Sequence, residues 1–128
     1  MLFDTDVLIW IFRGMKSAAR LVQADTDRKI SIINYMEILQ GSKNKYEMLS
    51  YKHFFSHYFF EILPVTEAIS HRAAILFEEH ALSTGLHVTD ALVIATACEN
   101  QLTLCTTNQK HARDIAALEL KVFAPEIA

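Results

Sequence analysis

Residues 89–100 form a helical segment with almost no polar face, running from Thr89-Asp90-Ala91-Leu92 through Val93, Ile94, Ala95 and Ala97 to Cys98. A helix that is apolar all round has to be enclosed by other elements, so it belongs in the middle of a layered domain. The rest of the chain supplies the layers. Short apolar or β-branched stretches at 1–3, 29–33, 60–65, 102–106 and 120–123 alternate with helical patterns at 6–12, 17–24, 34–41, 43–58, 66–84, 89–100 and 109–118. Strands separated by helices predict an α/β fold, a central parallel sheet with helices on both faces. Pro64 places its strand at an edge or ends it. Gly85 stops the longest helix, in which Ile69, Ala73, Leu76, Phe77 and His80 recur at helical intervals.

With 128 residues and 52% hydrophobic content, the expectation is one domain with a substantial core. No apolar run approaches membrane-spanning length and no secretory leader is recognisable, which makes the cytoplasm the default location. The two cysteines, Cys98 and Cys105, sit in apolar surroundings without metal-ligand spacing and read as reduced core residues. A net charge of −3 argues against a protein that coats nucleic acid through bulk charge.

The chemistry is suggested by where the acids fall. Asp4 follows the strand pattern Leu2-Phe3, Glu37 lies in the helix after 29–33, and Asp90 opens the apolar helix. Acids at strand ends can converge on one rim of a parallel sheet, where several negative charges need a hard cation to hold them together. Each acid also has a purely structural reading. Asp6, Asn34 and Thr89 are good N-caps, Glu37 stands three residues after Asn34 as in a capping box, and Asp90 suits the first turn of a helix. Asp4 fits such an account least well. At the buried end of a short strand its charge is costly unless something positive is near.

Four stretches carry a family resemblance: Asp4-Thr5-Asp6-Val7-Leu8-Ile9, then Ser31 to Gly41 with Asn34-Tyr35-Met36-Glu37, then Asp90-Ala91-Leu92-Val93-Ile94-Ala95-Thr96-Ala97, then Leu104-Cys105-Thr106-Thr107-Asn108. In content and order they resemble the motifs of the PIN domain, most closely the VapC-type toxins of toxin–antitoxin pairs, over essentially the whole chain. The resemblance implies a PIN-like three-layer fold and a Mg²⁺- or Mn²⁺-dependent endoribonuclease, commonly a homodimer restrained by a cognate antitoxin. Asp4, Glu37 and Asp90 match the family's metal-holding acids. Asp6 matches a supporting position. Where family members commonly carry a further acid, this chain has Asn108 and His111, with Asp114 as a substitute one helical turn on. Asn108 can act as an outer contact, and Thr107 either bonds a ligand or simply ends its strand. His111 either contacts phosphate or metal or is a solvated helix residue.

Arg13, Lys16, Lys43, Lys45, Lys110 and Arg113 are candidates for a backbone-binding rim for RNA. Trp10, Phe12 and the aromatics of 46–60 are assigned mainly to packing, with base stacking or partner contact as the alternative. Two other classes stay open. The Asp4-Thr5-Asp6 pattern also suits haloacid-dehalogenase-like phosphatases, in which Asp4 is the nucleophile, although the required lysine and paired-aspartate motif are missing. The absent fourth acid also admits a catalytically weak PIN fold acting as a binding module.

Overall fold

A computed structural model describes residues 1–126. Its elements follow the order β1 (Leu2–Phe3), α1 (Thr5–Phe12), α2 (Lys16–Ala24), β2 (Lys29–Ser31), α3 (Ile32–Gln40), α4 (Lys45–His57), β3 (Glu61–Leu63), α5 (Glu67–Thr84), α6 (Val88–Glu99), β4 (Leu104–Thr106) and β5 (Leu120–Val122). All strand pairs are parallel, in the order β3-β2-β1-β4-β5. β3, which precedes Pro64, is an edge strand, as the proline requires.

Alternation along the strands builds the layers. Leu2 and Leu104 point into one core with Ile69, Leu76, Val93 and Ile94 of α5 and α6. Their neighbours Phe3 and Cys105 point into a second core with Val7, Leu8, Val22 and Phe55 of α1, α2 and α4. Successive strand residues face opposite sides, so a sheet with apolar residues at both parities is covered twice. The enclosed position predicted for α6 is found, since Ala91, Val93, Ile94, Ala95, Thr96 and Ala97 are all buried. Both cysteines are free thiols, and burial pushes that of Cys105 up to about 11. No helix among the described residues is long and apolar enough to cross a membrane.

Three local expectations are corrected. Residues 109–118 form turns rather than a helix. Their bonds Ala112 N to Gln109 O, Ile115 N to Ala112 O and Leu118 N to Ile115 O each span three residues. The Asn108 side-chain oxygen accepts from Lys110 N at 3.0 Å as a helix cap would. Only Arg113 N to Gln109 O then spans four residues, and the tighter three-residue bonds do not run on as a long helix. The helix starts also shift. Asp4 rather than Asp6 caps α1, Ser31 rather than Asn34 caps α3, and His87 rather than Thr89 precedes α6. Finally, Asn34 and Glu37 do not form a capping box, because Asn34 is buried within α3.

Candidate active site

The strand order determines where a cleft opens. From central β1 the chain moves outward through β2 and β3, then crosses back to β4 on the other side of β1. At such a reversal the loops leaving the strands diverge, and a crevice forms beyond the strands' carboxyl ends. Asp4 follows β1, Ser31 ends β2 and Thr106 ends β4. A cavity of about 260 Å³ lies here, and its walls include Asp4, Asp6, Glu37, Asp90, Thr106, Asn108 and His111. Acids distant in sequence therefore meet in one place.

A dense polar network holds them. Asp4 Oδ1 accepts from the backbone N–H of Thr5 at 2.9 Å and from the Asn34 side-chain amide at 3.2 Å, while Oδ2 accepts from the Thr106 hydroxyl at 3.0 Å. Asn34 also donates to Thr5 Oγ1 at 2.8 Å and to Glu37 Oε1 at 3.0 Å, and its own oxygen accepts from Ser31 Oγ at 3.0 Å. The Thr5 hydroxyl donates onward to Glu37 Oε1 at 3.3 Å. Asp6 Oδ2 accepts from Thr106 Oγ1, Thr107 N and Thr107 Oγ1 at 3.0, 3.0 and 2.6 Å. Asp90 Oδ2 accepts from the backbone N–H of His87 at 3.1 Å, which ties the acid to the start of its helix.

Too few protons are available for so many acceptors. The Thr106 hydroxyl has one, yet it lies at 3.0 Å from both Asp4 Oδ2 and Asp6 Oδ2. Asp6 Oδ1 is buried with no partner. Burial, reinforced by the charges of Asp6 and Asp90, pushes the Asp4 carboxyl up to about 6 despite the hydrogen bonds from Thr106 and Thr5. The positive neighbour expected for Asp4 is absent among the described residues, where no lysine, arginine or histidine pairs with it.

These donors suit a hard divalent cation, because nearly all are oxygens and two carboxylates are incompletely compensated. No three His, Cys, Asp or Glu side chains among the described residues are grouped so that together they could hold a metal ion. A Mg²⁺ site needs no such group, since the ion keeps several waters and is commonly bound through one or two carboxylates.

The remaining candidates separate. Asn108 lines the cavity, with its amide oxygen turned toward Lys110 N. His111 lines it too, whereas Asp114 lies in a different cavity beside Arg72 and Glu99. Thr107 bonds Asp6. Arg13, Lys16, Lys43, Lys45, Lys110 and Arg113 are exposed, and none contributes to the cavity wall. Arg13 lies over the Trp10 ring at 5.3 Å. Phe12 packs on Tyr51 and Phe54, while Tyr46 and Phe59 are 84% and 87% exposed and free to meet a partner. Among the cavity-lining side chains there is no lysine, which the phosphatase chemistry would require. Asn34, Thr5 and Thr106 escaped the sequence reading. A polar Asn34 within Ile32-Ile33 and Ile38 was the one available signal.

Fold and cleft together define a doubly covered parallel α/β domain with an acidic crevice at its topological switch point. The PIN domain model matches residues 1–118, and the chain belongs to that family. It is similar to a chain of a toxin–antitoxin complex from Klebsiella pneumoniae, with 30% identity, TM-score 0.77, and 91% of this chain and 93% of that one covered. VapBC2 from Rickettsia felis, solved with a fragment of promoter DNA, contains a chain of the same fold, with 23% identity, TM-score 0.80 and coverage of 96% and 98%. VapBC-1 from nontypeable Haemophilus influenzae does so as well, with 19% identity, TM-score 0.77 and coverage of 94% and 96%. The resemblance to PIN domains seen in the motifs is thus matched in three dimensions. The sequence has no match among curated proteins.

Proposed function

We propose that this PIN domain is a Mg²⁺- or Mn²⁺-dependent endoribonuclease and the toxin of a toxin–antitoxin pair. The observation that carries the proposal is the convergence of Asp4, Glu37 and Asp90, from three separate segments, on one cavity. Asp4 and Asp90 are the principal metal ligands, and Glu37 is either a further ligand or the group that orients the attacking water. Once bound, the ion makes its water more acidic and offsets charge on the phosphoryl oxygens.

The chain's own residues prepare that chemistry. Asn34 and Thr5 fix the Glu37 carboxylate through two hydrogen bonds, so its remaining acceptor capacity has a defined direction. Thr106 holds Asp4 and Asp6 side by side at the end of β4. Asp6 supports the site, and Asn108 is an outer contact. Attack by water in line with O3′ forms a new P–O bond as the P–O3′ bond breaks, leaving a 5′-phosphate and a 3′-hydroxyl. Arg13, Lys43, Lys45, Lys110 and Arg113 are assigned to the backbone of RNA extending beyond the cavity.

The antitoxin proposal is supported by the Klebsiella complex and by exposed apolar side chains at the rim and on α3 and α4. Ile9 on the cavity wall, Met36 beside Glu37, and Met48 and Leu49 of α4 all face solvent. A homodimer would cover the exposed Ile75, Phe77 and Leu82 of α5. The test is incubation of purified protein with RNA, with and without Mg²⁺ or Mn²⁺, followed by sequencing of the RNA ends. Metal-dependent cleavage that disappears in Asp4→Asn supports the proposal. Equal cleavage by both proteins overturns it. A protein that binds metal and RNA yet never cuts would be a binding module instead.

A further inference from the structure

The acid cavity poses a problem for its own substrate. Four of its lining side chains, Asp4, Asp6, Glu37 and Asp90, are carboxylates, and an RNA phosphate is also an anion. A phosphate entering the cleft needs donors on the wall that are not already committed. The Thr5 hydroxyl is directed to Glu37, and the Thr106 hydroxyl to Asp4 and Asp6. None of the six exposed lysines and arginines near the motifs reaches the wall. Asn108 has amide N–H groups to offer, but the residue is exposed and its side chain is held only through the oxygen, by Lys110 N.

His111 differs from all of these. It is half-buried, it lines the cavity, and its Nδ1 is buried without a protein partner. A nitrogen that water cannot reach is closed to a phosphate as well, so the ring nitrogen able to meet a ligand is Nε2, which is not shut off in this way. The ring is also constrained. It meets His87 edge-on at 6.1 Å, and the Gly85 backbone stands close enough that a Cβ there would lie 4.0 Å from Cε1.

We propose that His111 is the substrate-phosphate contact of the cavity wall, donating a ring N–H to a non-bridging oxygen of the RNA backbone opposite the carboxylates. This role presupposes the nuclease reading above. It makes His111 a positioning group for substrate rather than a replacement for a missing acidic ligand.

The test compares wild type, His111→Ala, His111→Asn and His111→Gln in two separate measurements. In the first, Mn²⁺ binding to each protein is followed calorimetrically. In the second, a short fluorescein-labelled single-stranded RNA is titrated in Ca²⁺ and its anisotropy recorded, with a gel confirming that it stays intact. Loss of one hydrogen bond to a charged group predicts about tenfold weaker RNA binding for His111→Ala. One of the two amide variants, each retaining an N–H, should recover part of that loss, and Mn²⁺ affinity should be unchanged throughout. RNA affinity of His111→Ala within about twofold of wild type would overturn the proposal, as would a parallel loss of Mn²⁺ affinity, which would make His111 a metal ligand. Should His111→Ala fail to fold, the Asn and Gln variants decide: both binding RNA as weakly as each other, well below wild type, with no rescue, overturns the role. Failure of the nuclease reading shows instead in wild type, as absent Mn²⁺ binding in the first measurement.

Discussion

The side-chain amide of Asn34 donates to Glu37 Oε1 at 3.0 Å from a position that is itself 2% exposed. One buried amide thereby links the residues after β1 to the acid on α3, because the same nitrogen also reaches Asp4 and Thr5. Asn34→Ala should strip donors from two carboxylates at once. We expect a loss of about 2 kcal/mol in chemical denaturation. Metal affinity should fall by about tenfold or more, as for other residues that orient ligands from behind. Unchanged metal affinity in a well-folded variant would show that Glu37 is positioned without it.

Asp4 predicts a pH dependence of the metal-free protein. Its carboxyl titrates near 6 when folded against an ordinary value of 3.8, so the folded state binds the proton more tightly than the unfolded one. Stability contributed by this group is therefore highest below about pH 3.8, declines as pH rises, and reaches its lowest level above about pH 6. The penalty at neutral pH is on the order of 3 kcal/mol. Asp4→Asn should be more stable than wild type at pH 7.5 by about that amount, and the difference should vanish near pH 4. Equal stability at both pH values would mean that Asp4 is not strained by its surroundings.

Thr106→Val keeps the shape of a buried β-branched residue while removing the hydroxyl shared by Asp4 and Asp6. Without that donor the Asp4 carboxyl should titrate still higher, since the bond from Thr106 opposes the effect of burial. The expected outcome is about ten- to a hundredfold weaker Mn²⁺ binding, read by calorimetry. RNA cleavage should fall in parallel and recover as Mn²⁺ is raised. A variant with normal metal affinity would restrict Thr106 to packing.

Asp90→Asn should retain the bond that its Oδ2 now accepts from His87 N, because an amide oxygen can replace it. Helix α6 should consequently stay intact by circular dichroism while metal-dependent RNA cleavage falls to background. Cleavage at the wild-type rate would remove Asp90 from the reaction. Loss of the helix would show that its principal role is capping.

The sheet and its acids were legible because both rest on short-range rules. Strand and helix periods gave the layers, and an acid directly after Leu2-Phe3 fitted a capping account least well, although the structure shows that Asp4 also caps α1. What was illegible depended on partners distant in sequence. Asn34 read as a helix cap, but Ser31 takes that position and frees Asn34 to turn inward toward Asp4. Thr106 looked like any strand residue until β4 was laid beside β1. Residues 109–118 misled for a different reason. Ala112, Ile115 and Leu118 recur every three residues, which imitates a helix face yet equally suits successive turns touching the core once each.

The hydroxyl of Thr106 reaches Asp4 across 102 positions of chain, from β4 to the end of β1. An amino-terminal fragment can carry Asp4, Glu37 and Asp90 and still lack the strand that braces them. During synthesis the cleft can close only after β4 has emerged and docked. Any stretch of the chain that stops short of β4 therefore lacks the hydroxyl that links Asp4 to Asp6, so the acidic cleft is a property of the docked sheet and not of the segments that carry its carboxylates.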